Sequence, residues 1–264
     1  MRAFVLAVVL GALALPADAQ TLWSRPYEPN QIAVEALLPD VENAAPLSGA
    51  TFVSLSGSLS ENVELLAELP LARFQPSGDG PTSSTIGNPY LGLGLSSTSL
   101  PVLVQLGARI PAASANAAAA VGGAADIGRT RAFRPDEFSV SGLVNGRLSL
   151  GRGSSLRLRT GLAFASREAP RPDRPRIQDW FLHYDAQIWR EGGLLLTGLS
   201  VTGRALLNSP GTTDHQLTLS VMGDWERVQP GLLIGTSMND LALNGEFTPV
   251  AGLTLSISYG RFSF

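Results

Sequence analysis

The chain has 264 residues, a formal net charge of −3, no cysteine and two histidines. The missing cysteine excludes thiolate metal sites, cysteine nucleophiles and a disulfide framework, and the near-neutral charge gives no sign of a nucleic-acid partner. Charged residues make up 16% of the chain, against roughly 25% in an ordinary soluble domain, which is too few to cover a water-exposed body of this size.

In chain order, residues 1–19 read as a removable signal peptide: Arg2, an apolar run from Ala3 to Leu15, a break at Pro16, and Ala17-Asp18-Ala19 as a small-x-small cleavage site. That run is too short to span about 30 Å of hydrocarbon, and no other stretch has the length and apolarity of a spanning helix. A membrane location therefore implies a closed barrel, the other structure that satisfies every backbone group in lipid.

The remaining chain divides into residues 20–50, an N-terminal segment with a first strand near Gln31–Leu38, and residues 51–264, which alternate with period two over long runs. The runs are drawn at Thr51–Leu59, Val63–Phe74, Pro89–Ser96, Val102–Ile110, Glu137–Leu150 and Ser155–Ser166, then Ile177–Arg190, Leu194–Arg204, His215–Trp225, Gly231–Met238 and Leu253–Phe264. Short breaks such as Ser60-Glu61-Asn62 and Glu191-Gly192-Gly193 alternate with long ones at Gln75–Asn88, Pro111–Asp136, Arg167–Arg176 and Ala205–Asp214. This is the pattern of periplasmic turns and outside loops. The pattern predicts an all-β fold, a transmembrane antiparallel up-and-down barrel of twelve strands in the bacterial outer membrane. A fourteen-strand count stays open because Leu241–Phe247 also alternates. Within Pro111–Asp136 the alanine-rich stretch Ala112–Ala125 fits a short helix, a disordered loop or a loop folded into the mouth.

The final strand carries the expected assembly signal, Tyr259, Phe262 and Phe264, through which the barrel assembly machinery would engage it. A parity change between Tyr259 and Phe262 calls for a bulge near Gly260. Aromatics near strand ends form two expected girdles, Phe74, Phe138, Phe164 and Trp180 outside and Trp225 with the terminal aromatics inside; Trp189 departs from this, since its parity puts it with Asp185 and Gln187.

On Glu137–Leu150 the even positions are apolar or small, with Ser139, Ser141, Asn145, Arg147 and Ser149 on the opposite face. If the apolar parity faces lipid, the opposite parity lines the lumen with Glu64, Glu68, Arg109, Arg147, Arg157, Arg159, His183, Asp185, Gln187, Arg204 and Asp224. Arginine suits such a lumen because its planar fork holds carboxylates through paired hydrogen bonds. These residues serve either as a charged constriction for solutes or as ion pairs that fill a narrow bore. Any histidine chemistry would start from His183 or His215, and no activated nucleophile, phosphate loop, zinc spacing or calcium loop appears; no enzyme activity, cofactor or metal is expected.

Three motifs, Val63-Glu64-Leu65-Leu66-Ala67-Glu68-Leu69-Pro70-Leu71, Ile86-Gly87-Asn88-Pro89-Tyr90-Leu91-Gly92-Leu93 and Leu106-Gly107-Ala108-Arg109-Ile110-Pro111, resemble the outer-membrane barrel family named for the meta-pathway of phenol degradation. The resemblance is best over Thr51–Pro111. It implies an outer-membrane channel or transporter for small, hydrophobic or aromatic solutes, with membrane lipid and such a solute as partners. The alternatives are a non-transporting structural or adhesion barrel with a plugged charged lumen and, more remotely, a barrel enzyme acting on lipid or peptide.

Overall fold

Alternating side chains and strand-favouring composition carry over directly into a closed sheet. A computed structural model of the chain describes residues 30–96, 102–169, 175–208, 213–225, 227–239 and 247–259. The expected signal peptide, Phe262, Phe264 and the expected bulge at Gly260 lie outside the described residues. The strands are β1 Gln31–Pro39, β2 Gly49–Ser58, β3 Val63–Phe74, β4 Ser83–Ile86, β5 Tyr90–Ser96, β6 Val102–Arg109 and β7 Glu137–Gly151. They continue with β8 Ser154–Arg167, β9 Ile177–Gly192, β10 Leu195–Leu206, β11 Thr213–Gly223, β12 Val228–Asn239 and β13 Phe247–Ser258. Each stave pairs antiparallel with its chain neighbours, and β1 pairs with both β2 and β13, which closes the sheet. Strands β4 and β5 both pair with β3 and form one interrupted stave, so the barrel has twelve.

Burial alternates along the strands as the sequence parity requires. On β7, Glu137, Ser139, Leu143 and Asn145 are buried in the lumen while Phe138, Val140 and Val144 are exposed on the outer wall. Exposed Ile32 and Val34 on β1, Leu199 on β10, Leu219 on β11 and Leu253, Leu255 and Ile257 on β13 continue that wall around the barrel. An apolar surface this extensive is far beyond what a soluble protein leaves in water and fits hydrocarbon. Trp180, packed at 5.0 Å against Phe164, and Phe138 lie toward one rim, Trp225 toward the other.

Several boundaries differ from the sequence expectation, three of them informatively. The final strand starts at Phe247 rather than Leu253, because Phe247, Pro249 and Ala251 face out while Val250 and Gly252 face in, and this parity runs unbroken through residues that read as a loop. Pro249 has no donor, yet its carbonyl accepts from the Asp40 amide at 2.8 Å, so the ladder survives there. Gln229 and Pro230, read as a turn, lie within β12, and Glu191, also read as turn, lies within β9. The expected loop Gln75–Asn88 contains β4.

Trp189 is 1% exposed and lies inside the lumen, where its ring covers Gly198, its register partner on the neighbouring strand β10. A Cβ at Gly198 would sit 2.6 Å from the indole. Gly198→Val is therefore expected to destabilise the barrel by about 1–3 kcal/mol, the usual cost of overpacking. Gly192→Ala, which meets nothing within 4 Å, serves as the control. Urea unfolding of the refolded protein, read as loss of its folded gel mobility, checks this; equal midpoints for the two variants would contradict the packing assigned to Trp189.

Candidate functional site in the lumen

Between β6 and β7 the chain turns into the barrel. It forms α1, Ala117–Ala125, followed by a 3₁₀ helix, Ile127–Phe133. An isolated helix of this length with Gly122-Gly123 inside it would be marginal in water. Here its caps are local and its support is the barrel wall. The Asn116 side chain accepts from the Ala119 amide at 3.0 Å, and the Asp126 carboxylate accepts from the Gly128 amide at 2.7 Å. Ala118, Ala119 and Ala125 pack with Ala132 and Phe133 against Leu37, Ala50, Phe52, Ala72, Leu233 and Val250 of the wall. Small residues are what let a helix enter: a Cβ at Gly122 would press on Phe133 at 2.7 Å. The segment is thus a plug, one of the forms that the sequence left open.

Asn88, fully buried in the break between β4 and β5, ties both ends of the plug. Its Nδ2 donates to the carbonyls of Arg131 at 3.0 Å and Arg134 at 2.7 Å, and its Oδ1 accepts from the amides of Ala112 at 2.7 Å and Ala113 at 2.9 Å. The Asn88 amide also donates to the Ala132 carbonyl at 2.5 Å.

The centre of the plug is held by charge. Arg129 reaches Glu35 of β1 at 2.8 Å, Glu68 of β3 at 3.5 Å and Asp126 of its own turn at 2.6 Å, and its guanidinium lies 3.7 Å above the Phe52 ring. Burial works against the Arg129 charge, but Glu35, Asp126 and Glu68 outweigh it and hold the group above its ordinary value. Arg109 of β6 shares Glu68 at 2.6 Å and donates to the Asn88 carbonyl at 3.0 Å.

A second tier closes in toward the opposite rim. Glu191 of β9 accepts from Arg147 and Arg157 and, at 2.7 Å, from Ser155. Arg157 lies 5.5 Å from the Trp189 ring centre, and the indole donates to Gln187 at 2.8 Å and packs with Leu196 and Met222. Between the tiers is a cavity lined by Leu37, Tyr90, Arg131, Leu143, Arg159 and His183, among others.

Five of the eleven sequence-predicted lumen residues fall into these two groups, and the others stand apart from them rather than completing one ring. Glu68 and Arg109 join the plug cluster, while Arg147, Arg157 and Gln187 join the second tier. Arg159 donates to Asn145 at 2.7 Å and stands opposite Asp185, which accepts from Thr202 at 2.7 Å; Arg204 pairs with Asp214 at 2.5 Å. Glu64 lies inward over Gly94, and Asp224 follows β11, where Gln229 reaches it at 3.5 Å. His183 faces the cavity, whereas His215 shares its outer-wall parity with Tyr184, whose hydroxyl lies 2.6 Å from the His215 ring. The two histidines therefore occupy opposite faces and form no joint constellation. Tyr259 is tied to the wall, its hydroxyl donating to the Ser56 carbonyl at 2.6 Å. Among the described residues no cluster of metal-ligating side chains occurs.

Sequence reasoning did not single out Glu35, Asn88, Asp126, Arg129, Arg131 or Glu191. Glu191 carried a signal, since it continues the inward odd parity of Asp185, Gln187 and Trp189. Asn88 lies in the second of the three motifs and ends the expected break Gln75–Asn88. The plug residues follow no strand period.

Solved structures of outer-membrane proteins match the chain along most of its length at low identity. The COG4313 outer membrane channel from Pseudomonas putida F1 is 13% identical with a TM-score of 0.55, covering 94% of this chain and 98% of that one. The NanC porin is 7% identical with a TM-score of 0.56, covering 86% and 100%, and LpxR from Salmonella typhimurium is 11% identical with a TM-score of 0.52, covering 87% and 100%. No protein-family model and no curated protein sequence matches the chain. At such identities the likeness concerns the fold, and with the closed barrel and its apolar wall it puts the protein in the bacterial outer membrane, in contact with lipid.

Removing the Asn88 side chain leaves four backbone groups of the plug ends without their partner. Asn88→Ala is expected to lower hydrogen-exchange protection across residues 112–134 at least about tenfold, a change of about 1.4 kcal/mol, while β8 to β11 keep theirs. Unchanged protection of the plug would show that Arg129 alone holds it.

Proposed function

We propose that the protein is an outer-membrane channel for small solutes, gated by its own plug. The observation that carries this reading is the cavity between the two tiers, which has polar and apolar walls and lies on the axis that a solute would have to follow. A barrel built only for rigidity gains nothing from such a space, because a void forfeits packing contacts. The motif resemblance over Thr51–Pro111 supports a solute that is hydrophobic or aromatic in part, and two of the matched structures are described as a channel and a porin. The residues assigned to the path are Arg109, Arg159, His183 and Asp185, and those assigned to closure are Arg129 and Asn88 at the plug with Arg157 and Glu191 below. The signal peptide and the recognition of the last strand by assembly machinery belong to the same reading.

A second reading, a permanently plugged structural barrel, is favoured by the number of carboxylates on Arg129. Breaking such a buried cluster costs about 3–5 kcal/mol. Planar-bilayer conductance separates the two. The refolded protein is expected to be nearly silent, and a variant with residues 113–134 replaced by a short Gly-Ser linker, checked for folded gel mobility, is expected to show discrete steps at least about tenfold larger. A folded, shortened variant that stays silent would mean that the Trp189 tier seals the bore, and the structural reading would stand.

A further inference from the structure

We infer that the cavity beneath the plug is a binding site for a small organic carboxylate, received by the Arg131 guanidinium. This rests on the channel reading and names the class of solute. Arg131 is 6% exposed, and its Nε, Nη1 and Nη2 meet no hydrogen-bond acceptor among the described residues. Buried polar groups are almost always paired, and a buried guanidinium is among the costliest to leave bare. The neighbouring arginines are engaged: Arg129 with three carboxylates, Arg109 with Glu68 and Arg204 with Asp214. Arg131 stands apart from them. Its guanidinium lies 3.7 Å above the Phe181 ring, which offsets part of its desolvation. The nearest carboxylate, Glu137, approaches only the Nε edge and at 4.0 Å, with its Oε1 also unbonded.

The chemistry of the walls defines the ligand. A planar guanidinium fork binds a carboxylate through two parallel hydrogen bonds, a match that neutral solutes cannot offer. The negative groups of the lining do not compete for that position: Glu35 and Asp126 are held by Arg129, and Asp185 faces Arg159. The apolar part of the cavity lining, Leu37, Leu143, Ala163, Leu233 and Tyr90, offers a seat for the body of the ligand. The cavity volume is about 90 Å³. That is room for one small molecule rather than for an oligomer.

Benzoate and its neutral isostere benzamide are suitable probes, titrated calorimetrically into the refolded protein in detergent. Saturable benzoate binding at least tenfold tighter than benzamide is expected. Arg131→Gln should abolish the preference, Arg131→Lys should keep the charge but lose most of the gain, and Arg73→Gln on the outer wall should change nothing. Equal affinities for the two probes, no benzoate binding, or a preference that survives Arg131→Gln would overturn the proposal. Should Arg131→Gln fail to fold, the wild-type preference and the Arg131→Lys variant decide it. Conductance in the plug-shortened protein is read independently, so a channel without carboxylate preference is distinguished from a barrel that conducts nothing.

Discussion

The arrangement of the lumen depends on one buried charge, the guanidinium of Arg129. It joins β1 through Glu35, β3 through Glu68 and the plug through Asp126, while Phe52 of β2 covers its face. A charge in a desolvated setting is tolerable only when its hydrogen-bonding capacity is met, and here three carboxylates meet it. The same requirement fixes the position of the 3₁₀ turn relative to the wall. Through Glu68 it also fixes Arg109, which in turn holds the Asn88 carbonyl, so the ion cluster and the amide clamp at the plug ends are parts of one connected network.

Why a plug is present follows from barrel geometry. An eight-stranded barrel can fill its bore with side chains, but twelve staves leave more space than side chains alone can fill. The chain meets the excess in two ways. On the β1 to β3 side it inserts a helix of alanines and glycines, whose small side chains let the backbone lie against Ala50 and Ala72. On the β9 to β11 side it places the indole of Trp189 over Gly198, with Leu196 and Met222 beside it.

The barrel was legible in the sequence because each strand repeats one rule. From Glu137 to Leu150 the parity of apolar and polar residues assigns lipid and lumen faces, and burial follows it over Glu137–Val140 and Leu143–Asn145. Boundaries were less legible where a residue that usually ends strands sits inside one: Pro249 and Gly252 masked six residues of β13, and the glycines after Glu191 hid an inward carboxylate. Strand parity put the lumen candidates on one face but could not group them, because neighbours across a bore are set by strand register and by what enters from the loop. Nothing in a period-two reading indicates that Arg129 would meet Glu35, a residue 94 positions earlier in the chain.

Arg129 and Arg131 show how the same side chain, two positions apart, comes to opposite electrostatic ends. In a 3₁₀ helix successive residues turn by about 120°, so side chains two apart point to different walls. Arg129 faces β1 and β3, which bring Glu35 and Glu68. Arg131 faces β9, which brings the ring of Phe181. Burial lowers Arg131 to about 10, with Arg204 and Arg134 adding to that effect and Glu137 opposing it, so the group stays charged at neutral pH. Moving the plug outward would expose both guanidinium groups to water, but the two changes differ in sign. Arg129 would exchange three carboxylates for solvent, whereas Arg131 would regain hydration that it lacks in the closed barrel. The plug is therefore held by the first arginine and opposed by the second, and an acceptor supplied to Arg131 from within the cavity removes the opposition. If the cavity takes a carboxylate as proposed, its occupancy and closure of the plug are thermodynamically linked, each favouring the other.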